Sequence, residues 1–570
     1  MEPIWTKNYA VGVPSSINFQ EITLSQALAG TARRFPDVSA LMFQGTEMTF
    51  HELKDAVSRF SAGLQSLGIA PGDRVSIVLP NLIQTVIAVF GTLHAGATVV
   101  MHNPRLDDLS LEHQINDAGS SLIVGLDVLV PRLLKIMRKT GVRRIISCHI
   151  RDYLPFMKKK LFPIVKKDLH LETPAGAEGV LEFTDFIEGR QVVGGPHPAA
   201  MDDPAFILYT SATTGKSKGV ELTHNNTSKN VQQIRKWFPS FQDGREILVG
   251  CLPFFHSFGL TCALNIGIFY GFGNVLVPLP EPKSILDAIH TYRATYIPAL
   301  PVLYAGMIEN PSLKKYDLTS LKGCFSGAAP LPMEIVRTFE ELTGAQICEG
   351  YGLTECSPVS HINPFGGKSK VGTIGLPISD TDAKIVDLDD PATEITAPGQ
   401  PGELCIRGPQ VMRRYANLPA QTEEAVRDGW LLTGDIVTMD EEGYFAVVDR
   451  KKDMIVAGGR KVYPRDVDEV LFAHPKVMDA CTLGVPDPQS GECVHAFVVI
   501  KKGRTAQPSE IIEYCKMNLE PYQVPKRIEF LDDLPRSPAG KVLRKELRRM
   551  HLVRNSMSGT KKADGYSRVG

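Results

Sequence analysis

A chain of 570 residues exceeds what one hydrophobic core accommodates, so two or more domains are expected. Its 62 lysines and arginines balance 63 aspartates and glutamates, which removes any global electrostatic case for a nucleic-acid or other polyanionic partner. The ten cysteines form no CxxC pair, so they point to neither a zinc site nor a disulfide framework, and buried reduced thiols are expected.

The N-terminal "MEPIWTKNYAVGVPSS" lacks a basic start followed by an apolar core, so no signal peptide is expected. From about residue 40 to 350, short β-branched runs alternate with amphipathic stretches. "RVSIVLP" (74–80) precedes a helical stretch near 81–96 and the strand-like "ATVVMHN" (97–103). "SLIVGL" (121–126) precedes "VLVPRLLKIMRKTG" and then "RRIISC". Such alternation predicts mostly parallel sheets covered by helices, an α/β architecture. Residues 150–168, "IRDYLPFMKKKLFPIVKKD", interleave aromatic and basic side chains; they read either as a solvated helical face or as a weak contact with a membrane surface.

Residues 247–280 carry no Asp, Glu, Lys or Arg, a length that could cross a bilayer. Pro253, His256, Asn265 and repeated glycines interrupt the run, so strand, loop, helix and strand inside a large core are expected instead. The same wall would also suit an apolar ligand, as would "YIPALPVLYAGM" (296–307). Around 370–450 the texture changes to short strands and turns, a small β-rich subdomain. A boundary is expected at 449–453. It divides an N-terminal domain (1–450) from a smaller α+β C-terminal domain (451–550), followed by a disordered, polar tail (551–570).

The chemistry starts at "YTSATTGKSKGVELTH" (209–224), after the apolar "PAFIL". A P-loop would need glycine where Thr210 stands, so that motif fails. Thr210, Ser211, Thr213 and Thr214 nevertheless offer hydroxyls beside Gly215, Lys216, Lys218 and Gly219, a set able to wrap a triphosphate; alone it reads equally well as a turn. "CEGYGLTECSP" (348–358) supplies an aromatic face at Tyr351 and a carboxylate, Glu355, able to hold Mg²⁺. "LLTGDIV" places Asp435 where a carboxylate can accept from ribose hydroxyls, and "LPRSPAGKVLRKELR" sets Lys541 behind Pro538 and Gly540. Such a lysine is either solvated surface or a mobile charge for a phosphoryl transition state.

These stretches, in this order, resemble the acyl-adenylate-forming superfamily of acyl-CoA synthetases, adenylation domains and beetle luciferases, from about residue 20 to 550. "CFSGAAPLP", "CEGYGLTECSPVSHINP", "DGWLLTGDIV" and "DRKKDMIVAGG…VYPRDVDEVL" look most like bacterial long-chain fatty-acid–CoA ligases. The resemblance implies an AMP-forming acid–thiol ligase that uses ATP, Mg²⁺ and coenzyme A. It gives 210–219 the triphosphate, Thr210 and Glu355 the metal, and Gly327, Ala328, Ala329, Tyr351 and Gly352 the adenine. It gives Thr354 the α-phosphate, Asp435 and Arg450 the ribose, Lys541 the first half-reaction and His256 a place near the substrate carboxylate. Gly458 and Gly459 match the loop brought to the thiol when the C-terminal domain rotates about a hinge at Lys452. A cytoplasmic homodimer is implied, with fatty acid, ATP and coenzyme A as partners and the inner membrane face as the one surface in question. A fatty acyl-AMP ligase, an aryl-CoA ligase of the 4-coumarate kind and a non-catalytic sensor are the alternatives. Two positions depart from the family: Ala212 stands where glycine is usual in the loop, and Arg414 stands where glycine precedes Tyr415, with only a local surface effect expected.

Overall fold

The computed structural model describes residues 3–171, 178–191, 194–210, 216–487, 490–536 and 542–551. The chain divides into two compact units: 1–383 with 406–431 and 441–444, and 384–405 with 432–440 and 445–570.

The first unit holds two large sheets. In the eight-stranded one, Pro204–Tyr209, Thr98–Met101, Arg74–Val78, Leu122–Leu126, Arg144–Cys148 and Val180–Glu182 run parallel as successive neighbours. Gly219–Thr223 and Arg414–Tyr415 add antiparallel strands at one edge. The nine-stranded sheet centres on parallel Gln346–Gly352, Gly323–Ser326, Tyr296–Ala299, Ile247–Gly250, Gly273–Leu276 and Ser39–Phe43. These strands are continuous β-branched and apolar runs because both faces of a parallel sheet are covered. The helix Ile83–His94 is buried on every side, whereas Phe50–Ser66 is amphipathic and begins with a capping box of Thr49 and Glu52.

The uncharged run 247–280 folds as expected into strand Ile247–Gly250, a helical segment over 257–270 and strand Gly273–Leu276, nearly all of it buried. Among the described residues no helix is long and apolar enough to cross a membrane. The helix Phe156–Val165 leaves Phe156, Met157, Leu161, Ile164 and Val165 exposed, each at least half open to solvent.

In the second unit, strands over 384–386, 394–395, 402–405, 432–439 and 445–450 lie in one sheet. Val477–Asp487 and Gly491–Ile500 pair antiparallel at the heart of another, which Pro464–Ala473 and Pro508–Asn518 cover with Val467, Leu471, Ile511 and Cys515. Phe445–Arg450 hydrogen-bonds along Trp430–Met439, and 432–440 and 445–450 fall in this unit with the residues after 450. The tail 552–570, expected to be disordered, lies outside the described residues.

Candidate active site

The loop 210–218 joins two antiparallel strands whose register ends at Tyr209 opposite Gly219. Its base is closed by the Thr210 amide, which donates to the Lys218 carbonyl at 3.0 Å. Ser211, Thr213, Thr214 and Gly215, with Ala212, lie outside the described residues; Lys216 is exposed. The Lys218 ammonium sits 3.9 Å from the centre of the Tyr415 ring, and the Tyr415 hydroxyl donates to Glu355 Oε1 at 2.8 Å. The Met412 amide donates to the Glu355 carbonyl at 2.7 Å. A cation, an aromatic ring and a carboxylate therefore run in contact from the loop base to Glu355. Burial, then the charge and hydrogen bond of Glu355, push the Tyr415 hydroxyl well above its ordinary range, so it remains a donor.

Tyr415 is delivered by the two-residue strand Arg414–Tyr415, paired with Glu221 and Val220. Arg414 is therefore more than the local surface feature expected of it. Its guanidinium meets the buried Glu221 carboxylate at 3.1 Å, with Arg413 at 3.6 Å on the other oxygen. The positive pair offsets the desolvation of Glu221 and fixes the strand that carries Tyr415.

A buried polar chain backs the loop. Gln114 donates to the Ser217 hydroxyl at 3.2 Å and presents its amide oxygen to His102 Nδ1 at 2.9 Å, while His102 Nε2 meets the Ser76 hydroxyl at 2.8 Å. Burial is the main cause that pushes His102 down to about 4 from 6.5, with the Gln114 hydrogen bond opposing it. The unfolded chain then binds a proton that the native state refuses, so stability is full above about 6.5 and falls as pH drops toward 4. The expected loss at His102 is roughly 3 kcal/mol. Buried His224 and His361, also pushed down, add to it. Guanidinium midpoints at neutral and acid pH check this: His102→Gln flattens the acid slope, and an unchanged slope sinks the assignment.

The second wall lies at the ends of Gly323–Ser326 and Gln346–Gly352, parallel neighbours in register at Ser326 and Glu349. Gly327, Ala328 and Ala329 follow the first strand, and Tyr351 and Gly352 end the second. Ala328 adopts φ 68°, left-handed backbone that costs an alanine about 1–2 kcal/mol and marks a position held by its surroundings. Tyr351 packs edge-on against His361 at 5.8 Å. Thr354 opens the short turn Thr354–Cys356, and its hydroxyl lies 3.3 Å from that of Ser257. His256, next in the chain, caps Ser257–Gly259 by accepting from the Phe258 amide at 3.3 Å. One unit thus brings together Thr210, Lys218, Glu355, Thr354 and His256 with the Gly327–Ala329 and Tyr351–Gly352 walls.

Asp435, Arg450, Gly458 and Gly459 belong to the other unit. Asp435 and Arg450 face each other across two strands, Arg450 Nε 2.9 Å from Asp435 Oδ1. They line a cavity of about 330 Å³ with Thr433, Gly434, Lys451 and Lys452. Buried Glu403 holds its floor, accepting from Lys451 Nζ at 2.8 Å and from the Gly434 amide at 3.1 Å. Gly458 and Gly459, at φ 59° and 79°, form the two-residue turn between Ile455–Ala457 and Arg460–Val462; both central residues of such a turn need positive φ. Lys541 lies outside the described residues; Arg536 and Val542 on either side of its segment form an antiparallel bridge.

Tyr415, His102 and Gln114 escape sequence reading, since only long-range pairing places them here. The donors fit the metal assigned to them: a threonine hydroxyl and a carboxylate are hard oxygen ligands of the Mg²⁺ class, and Tyr415 engages one carboxylate oxygen.

A polar site at the ends of parallel strands of an α/β unit is where nucleotide ligands of such folds bind, which makes the chain a candidate nucleotide-dependent enzyme. Residues 28–416 match the AMP-binding enzyme family and 466–541 the AMP-binding enzyme C-terminal domain, so the chain belongs to the AMP-binding enzymes. It is 41% identical over 546 residues to the long-chain-fatty-acid–CoA ligase of Bacillus subtilis (strain 168), covering 95% of this chain and 97% of that protein. It is 38% identical over 554 residues to the long-chain-fatty-acid–CoA ligase of Escherichia coli O157:H7, covering 96% and 98%. Among solved structures, ATP-bound MatB from Rhodopseudomonas palustris is similar at TM-score 0.80 and 27% identity, covering 93% of this chain and 99% of that one.

Proposed function

We propose that this chain activates a medium- to long-chain fatty acid with ATP and transfers the acyl group to coenzyme A. A carboxylate oxygen of the acid attacks the α-phosphorus of ATP and pyrophosphate leaves, giving acyl-AMP. The coenzyme A thiol then attacks the acyl carbon, giving the thioester and AMP. The observation that carries the reading is the contact from Lys218 through Tyr415 to Glu355, which sets charge at the base of a hydroxyl-rich loop in a chain similar from end to end to acid–CoA ligases.

Thr210 and Glu355 would hold Mg²⁺, which when bound offsets charge on the phosphates. Lys218 adds a cation at the loop base. Thr354 and His256 stand on one side of the site, where they can bind the α-phosphate and orient the acid. Tyr351 and the Gly327–Ala329 wall offer faces for adenine, and Asp435 with Arg450 accepts from and donates to the ribose hydroxyls. Lys541 acts as the mobile charge of the first step, on a domain hinged at Lys452 that presents Gly458 and Gly459 in the second.

The test is pyrophosphate and thioester formation with ATP, Mg²⁺ and coenzyme A, across saturated acids from acetate to C18 plus benzoate and 4-coumarate, beside Ala212→Gly. Thioester peaking at long chains supports the reading. Pyrophosphate without thioester replaces it with an acyl-AMP ligase, a 4-coumarate optimum with an aryl ligase, and silence in both proteins with a sensor.

The helix Phe156–Val165 supplies the substrate's route. Its five exposed apolar side chains flank the consecutive Lys158, Lys159 and Lys160, an arrangement complementary to an anionic lipid surface. Replacing the three lysines with glutamate is expected to weaken pelleting with phosphatidylglycerol vesicles about tenfold at low salt, and unchanged pelleting sinks the membrane contact.

A further inference from the structure

Away from the site described above, three neighbouring parallel strands of the first unit end in a cluster of titratable side chains. Asp127 follows Leu122–Leu126, His149 follows Arg144–Cys148, and Glu182 closes Val180–Glu182. His170 reaches the cluster from the far end of the 150–169 excursion, whose helix is Phe156–Val165. His149 Nδ1 lies 2.9 Å and His170 Nδ1 3.1 Å from the same oxygen, Asp127 Oδ2, which also accepts from the Leu171 amide at 2.9 Å. His149 Nε2 lies 2.8 Å from Glu182 Oε2. Asp127 is 1% exposed and the His170 side chain 8%. Among the described residues, buried Asp127 Oδ1 and His170 Nε2 have no hydrogen-bond partner.

This crowding has a chemical meaning. Glu182 is placed to take the Nε2–H of His149, the arrangement in which a carboxylate orients a metal-binding imidazole. A divalent cation that takes the place of the Nδ1 proton would meet the Nδ1 atoms of both imidazoles and the Asp127 carboxylate, while Glu182 keeps the Nε2–H of His149. Ligand atoms of Asp127, His149 and His170 all lie within 4.8 Å of one another. Tetrahedral ligands at about 2.0–2.1 Å from zinc stand roughly 3.3 Å apart, so the two histidine–Asp127 contacts at 2.9 and 3.1 Å need to open by only a few tenths of an ångström. Two imidazoles and a carboxylate suit a borderline divalent ion, whereas magnesium and calcium prefer all-oxygen sets.

We propose that Asp127, His149 and His170 form a structural site for a divalent transition-metal ion of the zinc class, with Glu182 as the positioning partner of His149. The ion ties the end of the 150–169 excursion to the strand ends beneath it. It stands apart from the Mg²⁺ ligands Thr210 and Glu355 and takes no part in the reaction.

The test uses the full chain, stripped with EDTA, exchanged into buffer with Mg²⁺ but no nucleotide, given equimolar zinc and desalted. Elemental analysis is expected to find about one zinc per chain, and cobalt in its place to give the visible absorption of a tetrahedral site. His170→Ala and His149→Ala/His170→Ala are expected to lose that equivalent, with unchanged far-ultraviolet circular dichroism as the check on folding. His495, Glu529 and His551 form a comparable trio in the second unit, so His495→Ala/His551→Ala is the control and is expected to keep the zinc. Less than about 0.1 zinc per parent chain overturns the site and leaves a protonated His149 bridging two carboxylates. Equal zinc in the parent and the double variant, or loss in the control alone, also overturns it.

Discussion

Glutamine in place of Glu355 lowers acid-dependent pyrophosphate release by roughly 10²–10³-fold while leaving the thermal midpoint nearly unchanged. The substitution keeps the volume of the side chain and an oxygen able to accept from the Tyr415 hydroxyl at 2.8 Å, so the turn Thr354–Cys356 keeps its contacts. Only the charge is lost. The reaction spreads negative charge over a triphosphate, and under the proposed role Glu355 holds the metal against it, acting in the transition state more than in the ground state, so kcat falls rather than KM for the acid rising. Tyr415→Phe separates charge from position: it keeps the carboxylate and removes the donor, with an expected loss of about tenfold. Steady-state kinetics with varied Mg²⁺ decides the matter. A glutamine variant within threefold of the parent means Glu355 does not hold the metal.

Alanine at Gly352 is expected to cost about 4–5 kcal/mol of stability, among the largest effects of a single methyl. A Cβ there would lie 1.9 Å from the Pro358 carbonyl oxygen and 2.7 Å from its carbon, and these are backbone atoms with no rotamer to yield. Pro358 cannot withdraw cheaply. Its carbonyl accepts from the Leu353 amide at 3.0 Å, and its neighbour Ser357 is held by Thr261 at 2.6 Å and to the Gln410 carbonyl at 2.9 Å. The strain would reach Tyr351 on one side and Thr354 on the other, so activity falls with the fold. Guanidinium denaturation and soluble yield read the effect. A midpoint equal to the parent's means the two backbones stand farther apart than described.

Much of the fold is legible in the sequence because a parallel sheet covered on both faces writes itself as short β-branched runs. "RVSIVLP", "SLIVGL" and "RRIISC" each became a strand where expected. Hydropathy alone would have misread 247–280, and Pro253 with the glycines decided it. The aromatic face of Tyr351, at a strand end, and the Glu355 carboxylate, in the turn that follows, were read as a candidate site from their residues, and the resemblance added the α-phosphate role proposed for Thr354. Tyr415 was not: it enters through pairing with Val220, some two hundred positions earlier, and nothing local announces such a contact. Arg414, read as a surface departure, has its reason in Glu221 on that partner strand. Asp435 and Arg450 were legible singly, but their meeting depends on cross-strand register, which also draws 432–440 into the second unit.

The ten cysteines bear on a hazard of the chemistry itself. An acyl-adenylate is an electrophile made to be captured by a thiol, and any accessible thiolate on the protein would compete with coenzyme A for it. Every cysteine here is buried, and burial is the first cause raising each thiol above its usual range. The chain handles an activated acyl group while offering it no nucleophilic sulfur of its own, so acyl transfer to sulfur is left to the thiol that arrives from solution.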